Sequence, residues 1–220
     1  MTIKLWHAHN TRSLRPLWAL EEMALHYELV NLPFPPRFHQ KEYKDINVLG
    51  TVPYLVDGTS QLTESSAMLL FLAEKYDKQS LLVPKEHPEY GDFLNWLFHS
   101  DATLTFPLSI VLRYDQFESP ERLQPQVAED YRLWFHARLK RINHHLETNL
   151  FLCANRFTIA DIAITYALYL GELLGLTKDY QPQTLAYLQR MKLRPAFQRI
   201  KNIGQEQSKY KIAEAKTYNS

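Results

Sequence analysis

Two short motifs with a hairpin-like segment between them constrain the fold of this chain most strongly. Val52-Pro53 precedes the apolar run Tyr54-Leu55-Val56, and Asp57-Gly58 follows as a turn dipeptide before Ser60-Gln61-Leu62. Glu64-Ser65-Ser66 then opens an apolar, helix-forming run. The order predicts a β-hairpin that leads directly into the N-terminus of a helix.

The backbone around these motifs favours a ligand of a particular chemistry. Pro53 stands at the head of a strand, where a missing N–H is tolerated and where an X-Pro bond can be cis. Val52 can then pair its N–H and C=O with an extended, peptide-like ligand, as an added strand does. The N–H groups and positive dipole end at the start of a helix favour a carboxylate. Together these features predict a site for a small acidic peptide.

Strand and helix patterns alternate up to about residue 77, and only helical patterns follow. Strands are predicted at 2–7 and 27–32, and helices at 13–26, loosely at 40–47, and at 64–76. With the hairpin, this gives the order β-α-β-α-β-β-α. Further helices are predicted from about 89, over 127–146, from 158 and over 183–191. Pro107 is expected to kink or break the first of these later helices.

The segment Phe157 to Ile162 carries a complete helix-start signature. Thr158 fits the N-cap and Asp161 the reciprocal position of a capping box, while Phe157 and Ile162 fit the hydrophobic staple. We expect this segment to start the core helix of a second domain and to have a structural role.

Length and pattern together predict two domains. The predicted division is a first domain at 1–77, a linker at 78–88, an all-helical domain at 89–203 and a polar, fraying tail at 204–220. The net charge of +1, from 25 basic and 24 acidic residues, argues against nucleic acid or a membrane surface as the main partner. The N-terminal residues contain no signal-peptide apolar region. We therefore expect a cytoplasmic protein.

The cysteine and histidine content indicates which chemistry to expect. Cys153 is the single cysteine, so there is no internal disulfide, and it is predicted to be a buried structural thiol. The sequence has no C-x-x-C or H-x-x-x-H pair and no G-x-G-x-x-G or P-loop, so no metal and no nucleotide is expected.

Taken together, the motifs resemble those of the glutathione transferase family. The glutathione-binding half of that family reads roughly N-P-x-G-x-V-P, a hairpin, then E-S. Asn47 to Pro53 and Glu64-Ser65 match it, with Val48 at the usual Pro and Thr51 at the frequent Lys. The capping box is similar to the family's F-[ST]-x-A-D-I. The resemblance covers about 2–203 and implies a thioredoxin-like domain followed by an all-helical domain.

The resemblance places the thiol-activating group in the turn after the first strand. Asn10 to Arg15 matches the loose family pattern N-[ST]-R-S-x-R, which implies that the Thr11 hydroxyl donates to the glutathione sulfur. Ser13, Asn10 or a backbone N–H are alternatives, and Thr11 or Ser13 could instead only cap the helix. A free thiol has a pKa of about 8.5, and lowering it by about 2 units needs about 2.7 kcal/mol.

The resemblance also implies roles for other residues. Val52, flanked by Thr51 and Pro53, would pair with the cysteinyl backbone, and Glu64 and Ser65 would bind the γ-glutamyl end. The glycine carboxylate would meet His39, with Gln40 and Lys41 as alternatives. Candidates for an apolar pocket that takes the second substrate, with core packing as the alternative role for each, are Phe34, Leu104, Phe106 and Tyr114.

The resemblance therefore implies a glutathione S-transferase with glutathione as co-substrate. It would be a homodimer, in which the helix at 64–76 faces the partner's second domain, and would conjugate small hydrophobic electrophiles in detoxification. A glutathione peroxidase activity is a close variant. The alternatives are a non-catalytic member that acts as a binding or regulatory module, and a structural partner in a larger complex.

Overall fold

The computed structural model describes residues 2–77 and 80–208, which form two compact units. The first unit falls within Met1–Leu82 and Lys192–Lys211, and the second within Val83–Met191. Residues 192–203, assigned by the sequence to the helical domain, thus belong to the first unit. The predicted linker residues 78–79 and tail residues 209–220 lie outside the described residues. Within the described ranges, no helix is long and apolar enough to cross a membrane.

Strands occur in the first unit, and helices in both. The strands are β1 (Ile3–His7), β2 (Tyr27–Asn31), β3 (Tyr54–Asp57) and β4 (Ser60–Leu62). The α-helices are α1 (Leu14–Glu22), α2 (Pro36–His39), α3 (Ser65–Tyr76), α4 (Tyr90–His99), α5 (Phe106–Leu112), α6 (Pro125–His145), α7 (Ile159–Leu173), α8 (Pro182–Lys192) and α9 (Pro195–Ile200). The predicted β-α-β-α-β-β-α order and the helical second part are confirmed.

The strands form one mixed sheet in the order β2-β1-β3-β4. β1 pairs in parallel with β2 and antiparallel with β3, and β3 pairs antiparallel with β4. A parallel pair needs a crossover, which α1 supplies between β1 and β2. The turn between β1 and α1 therefore lies at the carboxyl end of a central strand, where open α/β sheets usually place their ligands.

The β3–β4 hairpin has a two-residue loop. Asp57 pairs with Ser60, so Gly58 and Thr59 form the turn. Gly58 has a φ of 62°, as the first central position of a type II′ turn requires. The predicted hairpin is confirmed, with its glycine at the position that only glycine adopts without strain.

The Asp57 carboxylate ties this hairpin to the C-terminal end of α3. It accepts hydrogen bonds from Lys75 Nζ and the Tyr76 hydroxyl, each at 2.7 Å. Burial alone would raise the pKa of Asp57, but these two donors outweigh it and lower that pKa below its ordinary value. The turn end of the β3–β4 hairpin and the C-terminal end of α3 are thus fixed to each other.

A cluster of aromatic and aliphatic side chains covers one face of the sheet. Trp6 on β1 and Tyr54 on β3 lie with ring centroids 5.3 Å apart, and Tyr43 from a 3₁₀ turn (Lys41–Asp45) packs with them. Val52 packs against this cluster. The predicted loose helix at 40–47 is thus this 3₁₀ turn, and α2 just before it was not predicted.

Residues after α8 return to the first unit and pack along α1. Phe197 on α9 meets the Trp18 ring edge-on at a centroid distance of 4.9 Å. Arg194 makes two hydrogen bonds to the Glu22 carboxylate at 2.7 and 2.8 Å, and Arg199 pairs with Glu21. α1 ends earlier than predicted because the chain adopts the left-handed conformation at Ala24 (φ 51°), which a helix cannot continue through.

In the second unit, the chain stays helical near Pro107, but the α-helical geometry is interrupted just before it. The helical path continues from α4 through a π-helical stretch (Ser100–Thr105) into α5, then through a second one (Arg113–Phe117). Pro107 lies in the first turn of α5, where a missing N–H costs little.

The predicted capping box is present at the start of α7. Thr158 Oγ1 accepts from the Ala160 N–H at 3.2 Å, and the buried Asp161 carboxylate accepts from the Thr158 N–H at 2.8 Å. Asp161 also accepts from the Leu152 N–H and the Tyr187 hydroxyl. Burial raises the pKa of Asp161 to about 6 against the opposing effect of these donors.

Cys153 lies just before this capping box and is buried. Burial raises the pKa of its thiol to about 12, so it stays protonated and unreactive at neutral pH. The prediction of a buried structural thiol is confirmed.

Candidate active site

The turn between β1 and α1 is closed by hydrogen bonds to the carbonyl of Ala8. The Thr11 N–H and the Thr11 hydroxyl donate to this oxygen at 3.3 and 2.8 Å. Asn10 takes a left-handed conformation, with a φ of 59°, which asparagine tolerates better than most residues. The turn thereby places the predicted residues Asn10, Thr11 and Ser13 next to one another.

Two hydroxyl groups lie together in this turn. Thr11 Oγ1 and Ser13 Oγ are 2.7 Å apart, and the Ala8 N–H donates to Ser13 Oγ at 3.2 Å. Thr11 is partly exposed, whereas Ser13 has no exposed surface. Although Ser13 is the N-cap residue of α1, its side chain makes no capping hydrogen bond. Of the two residues, Thr11 is therefore the one with surface accessible to a ligand.

His7, the last residue of β1, lies behind the hydroxyl pair. Its Nδ1 is 2.7 Å from Ser13 Oγ, and its Nε2 is 3.2 Å from the carbonyl oxygen of Ile203. Burial lowers the pKa of His7 to about 4, so the ring is neutral at physiological pH. The same carbonyl lies 3.1 Å from Nδ1 of His9, whose pKa is also lowered by burial.

The N-terminus of α3 is joined to α1 through a buried arginine. Arg15 Nη1 donates to Ser65 Oγ at 2.9 Å, and both residues are buried. Glu64 is the N-cap residue and is exposed, so Ser65 is the first helical residue. Ser65 is therefore not the N-cap residue of α3. The first N–H groups of α3 have no acceptor within the helix, and they lie beside the Ser65 hydroxyl.

The segment before β3 holds its backbone in place through the Thr51 carbonyl. This oxygen accepts from the Tyr43 hydroxyl at 2.9 Å and from Asn47 Nδ2 at 2.8 Å. The Val52–Pro53 peptide bond is cis, as the sequence suggested. Since the Thr51 carbonyl is held by the buried side chains of Tyr43 and Asn47, the position of Val52 is set from the core outward.

The remaining predicted site residues differ in exposure. His39 ends α2 and is exposed, and Phe34 is partly buried beside a cis bond to Pro35. In the second unit, Phe106 is 53% exposed and Tyr114 is partly exposed. Leu104 has no exposed surface, so it packs in the core of that unit and lines no open surface there.

Some residues of this site were missed by the sequence analysis. Arg15 stood in the N-[ST]-R-S-x-R pattern without an assigned role, and Tyr43 stood in a segment predicted only as loosely helical. His7 and Ile203 are 196 positions apart, and no local pattern connects them.

Over residues 2–77 and 80–208, no group of three or more His, Cys, Asp or Glu side chains could hold a metal ion.

Comparison with known proteins agrees with this geometry. The family model described as "Glutathione S-transferase, N-terminal domain" matches residues 1–74. Glutathione S-transferase 1 of Schizosaccharomyces pombe is 28% identical over 212 residues, which cover 87% of this chain and 92% of that protein. Glutathione S-transferase GstA of Escherichia coli O157:H7 is 27% identical over 199 residues, covering 89% of this chain and 96% of that one.

Solved structures show the same fold. A glutathione transferase from Methylococcus capsulatus superimposes with a TM-score of 0.80 at 26% identity, covering 93% of this chain and 100% of that one. Ure2p5 of Phanerochaete chrysosporium, cocrystallized with 1-(S-glutathionyl)-2,4-dinitrobenzene, has a TM-score of 0.79 at 22% identity and covers 93% and 95%. At 22% identity, the similarity to Ure2p5 is evidence for a shared fold alone.

Fold and site together define a protein with a thioredoxin-like domain followed by a helical domain. Residues 1–74 match the N-terminal domain of the glutathione S-transferase family, and the chain is similar to glutathione S-transferases over most of its length. The predicted family and fold class are confirmed.

Proposed function

We propose that this protein is a glutathione transferase in which the Thr11 hydroxyl stabilises the glutathione thiolate. The observation that carries the proposal is the geometry of the turn between β1 and α1. There the hydroxyl of the partly exposed Thr11 lies beside that of the buried Ser13, in the turn that follows a central strand of the sheet. A hydroxyl that donates to sulfur favours the thiolate, which is the nucleophile. The burial of Ser13 favours Thr11 over Ser13 for this role.

The γ-glutamyl end of glutathione is proposed to bind at the N-terminus of α3. The Ser65 hydroxyl accepts from Arg15, so its own proton is left to donate to a carboxylate. The Ser65 N–H, the helix dipole and the nearby guanidinium add favourable interactions with the same negative charge. Glu64, which is exposed, is proposed to meet the ammonium group.

The cysteinyl part of glutathione is proposed to pair with the Val52 backbone. The Thr51 carbonyl is turned inward by Tyr43 and Asn47, and this supports a fixed direction for the next peptide groups. His39, exposed at the end of α2, is the proposed partner of the glycine carboxylate.

The second substrate is proposed to be a small hydrophobic electrophile. In the second unit, the exposed ring of Phe106 and the partly exposed ring of Tyr114 offer apolar surface of the kind that such a substrate needs. In the reaction, the thiolate sulfur attacks the electrophilic atom, and a leaving group departs or a proton is taken up. Peroxide reduction, which starts from the same thiolate, is a variant of this reaction.

We also propose that the protein is a cytoplasmic homodimer with a role in detoxification.

A non-catalytic binding module is the second candidate function. The partial exposure of Thr11, together with the Val52 and Ser65 backbone, favours the catalytic function over the module. A module that does not bind glutathione has no need of these glutathione-site features.

Calorimetry and thiolate absorbance test the proposal together. Glutathione is titrated into the protein, and the ultraviolet absorbance of the bound thiolate is followed against pH. We expect binding with a thiol pKa well below about 8.5, and transfer to a chromogenic electrophile. Thr11→Ala should return the thiol pKa towards the free value, whereas Thr11→Ser and Ser13→Ala should leave it depressed. A bound-thiol pKa that stays as depressed in Thr11→Ala as in the wild type excludes Thr11. An absence of binding at millimolar glutathione favours the non-catalytic module.

A further inference from the structure

A chain of hydrogen bonds runs from the C-terminal part of the first unit to the Thr11 hydroxyl. It passes from the Ile203 carbonyl to His7 Nε2 at 3.2 Å, and from His7 Nδ1 to Ser13 Oγ at 2.7 Å. It then continues from Ser13 Oγ to Thr11 Oγ1 at 2.7 Å. His7 and Ser13 have no exposed surface, so water cannot replace either of them in this chain.

The direction of every bond in this chain follows from its first acceptor. A carbonyl oxygen only accepts, so His7 Nε2 must carry a proton to bond Ile203. In a neutral imidazole Nδ1 is then the acceptor, and the Ser13 hydroxyl must donate to it. With its single proton committed to His7, Ser13 can only accept from Thr11. The one Thr11 hydroxyl proton is therefore shared between Ser13 Oγ and the Ala8 carbonyl, which lies 2.8 Å from Thr11 Oγ1.

The segment that supplies Ile203 is anchored at several points. Besides His7, the Ile203 carbonyl is within hydrogen-bond distance of His9 Nδ1, at 3.1 Å. Two ion pairs, Arg194 with Glu22 and Arg199 with Glu21, hold the preceding residues on α1. The carbonyl is thus held at a fixed position by groups that do not belong to the turn itself.

We propose that His7 is a positioning residue: the tautomer imposed by the Ile203 carbonyl commits the Ser13 proton to His7, so that Ser13 Oγ competes with the glutathione sulfur for the single Thr11 proton. The inference rests on the proposed function and deepens it, because it makes residues 192–208 part of the thiol-binding apparatus. Without this tautomer the Ser13 proton is free to point towards Thr11 Oγ1, and Ser13 no longer competes for the Thr11 proton.

Two substitutions of His7 separate its two hydrogen bonds. His7→Asn keeps an acceptor near the position of Nδ1 and loses the contact with Ile203. His7→Gln keeps a donor near the position of Nε2 and loses the acceptor for Ser13. In the second variant the Ser13 proton is released towards Thr11 Oγ1, and Thr11 can then donate to sulfur without loss of its neighbour.

The first experiment determines the tautomer of His7 in the ligand-free protein. We expect ¹⁵N NMR of the histidine side chains to show a protonated Nε2 and an unprotonated Nδ1 for His7. A protonated Nδ1 would reverse the bond to Ser13 and would overturn the proposal. This measurement needs no glutathione, so its result does not depend on whether the proposed function is correct.

The second experiment measures the thiol pKa of glutathione bound to each variant. His7→Gln is expected to lower it by about 0.5 to 1 unit, the effect of one more hydroxyl hydrogen bond, and His7→Asn to change it far less. In a Ser13→Ala background the His7→Gln effect should vanish. A rise in the pKa for His7→Gln, or the same shift without Ser13, indicates a merely structural histidine and overturns the proposal. Circular dichroism checks that each variant is folded, and lack of glutathione binding by the wild type would contradict the proposed function instead.

Discussion

Arg15 Nη1 donates to Ser65 Oγ at 2.9 Å and so joins α1 to the first residue of α3. The two residues are 50 positions apart, and each closes a different sequence motif. Both lie in the interior, where a hydrogen bond to a charged group contributes more than one at the surface. The bond explains physically why the Asn10 to Arg15 pattern and the Glu64-Ser65 pair occur in one chain.

Substitution of Arg15 by Met should weaken glutathione binding. The change removes a cation and a donor beside the proposed γ-glutamyl carboxylate, and a charged hydrogen bond of about 1.5 to 3 kcal/mol corresponds to roughly 10- to 100-fold in the dissociation constant. Calorimetry on Arg15→Met, Ser65→Ala and the double variant measures the coupling. Additive losses would show that Arg15 does not act through Ser65.

The hydrogen bonds to the Thr51 carbonyl should matter for affinity and not for thiol activation. Tyr43→Phe removes one donor and Asn47→Ala the other, so the peptide group before Val52 loses its anchor. We expect a few-fold rise in the glutathione dissociation constant for each, with an unchanged bound-thiol pKa.

Tyr54→Phe is the matched control for that comparison. Tyr54 belongs to the same aromatic cluster, but its hydroxyl donates to Gln61 at 2.8 Å. Equal losses of affinity in Tyr54→Phe and Tyr43→Phe would indicate a general loosening of the cluster and would exclude a specific role for the Thr51 carbonyl.

The sequence predicts those parts of the fold and site that local signals encode. The hairpin follows from Asp57-Gly58, and the start of α7 from Thr158 and Asp161, because turn and cap chemistry involve residues a few positions apart. The end of α1 was missed because the left-handed residue there is Ala24, and alanine carries no turn signal. Contacts such as His7 with Ile203 depend on how α9 packs along α1, which no periodicity encodes.

The stability of the protein should decrease as the pH falls below about 6.5. The pKa of His7 is lowered to about 4 in the folded state, so the unfolded chain binds the proton more readily and stability is lost between these two values. A difference of about 2.5 units corresponds to at most about 3.4 kcal/mol. His99, whose pKa burial also lowers to about 4, adds a loss of the same sign. Asp161, whose pKa is raised to about 6, opposes these two losses, because its protonation favours the folded state.

Urea unfolding at a series of pH values tests this dependence. The free energy of unfolding of the His7→Asn variant should fall less steeply between pH 6.5 and 4 than that of the wild type, while His99 still contributes in both. Parallel curves for the two proteins would mean that His7 is not buried as a neutral ring.

Asp161→Asn should destabilise the protein strongly. The carboxylate accepts from the Thr158 and Leu152 N–H groups and from the Tyr187 hydroxyl, and an amide in its place offers only one oxygen and turns an NH₂ group towards buried donors. We expect a loss of about 2 to 4 kcal/mol in thermal or urea unfolding. Asp130→Asn is the control, since Asp130 is exposed and accepts only from the nearby Gln126 side chain among the described contacts. Similar effects of the two substitutions would contradict a structural role for the capping box.

Gly204→Ala should disturb the Ile203 carbonyl without touching the proposed glutathione site directly. Gly204 has a φ of +76°, a conformation that strains the backbone of an alanine. An added Cβ would also lie 3.3 Å from both His7 Cδ2 and Asn31 Oδ1, which is a close contact. We expect about 1 kcal/mol or more of destabilisation and a changed ¹⁵N shift at His7 Nε2. Gly91→Ala is the matched control, because a Cβ there has no neighbour within 4 Å and Gly91 lies in α4, where alanine favours the helix. If Gly204→Ala lowered stability but left the His7 signal in place, the carbonyl would have kept its position, and residues 192–208 would stabilise the first unit without setting the tautomer of His7.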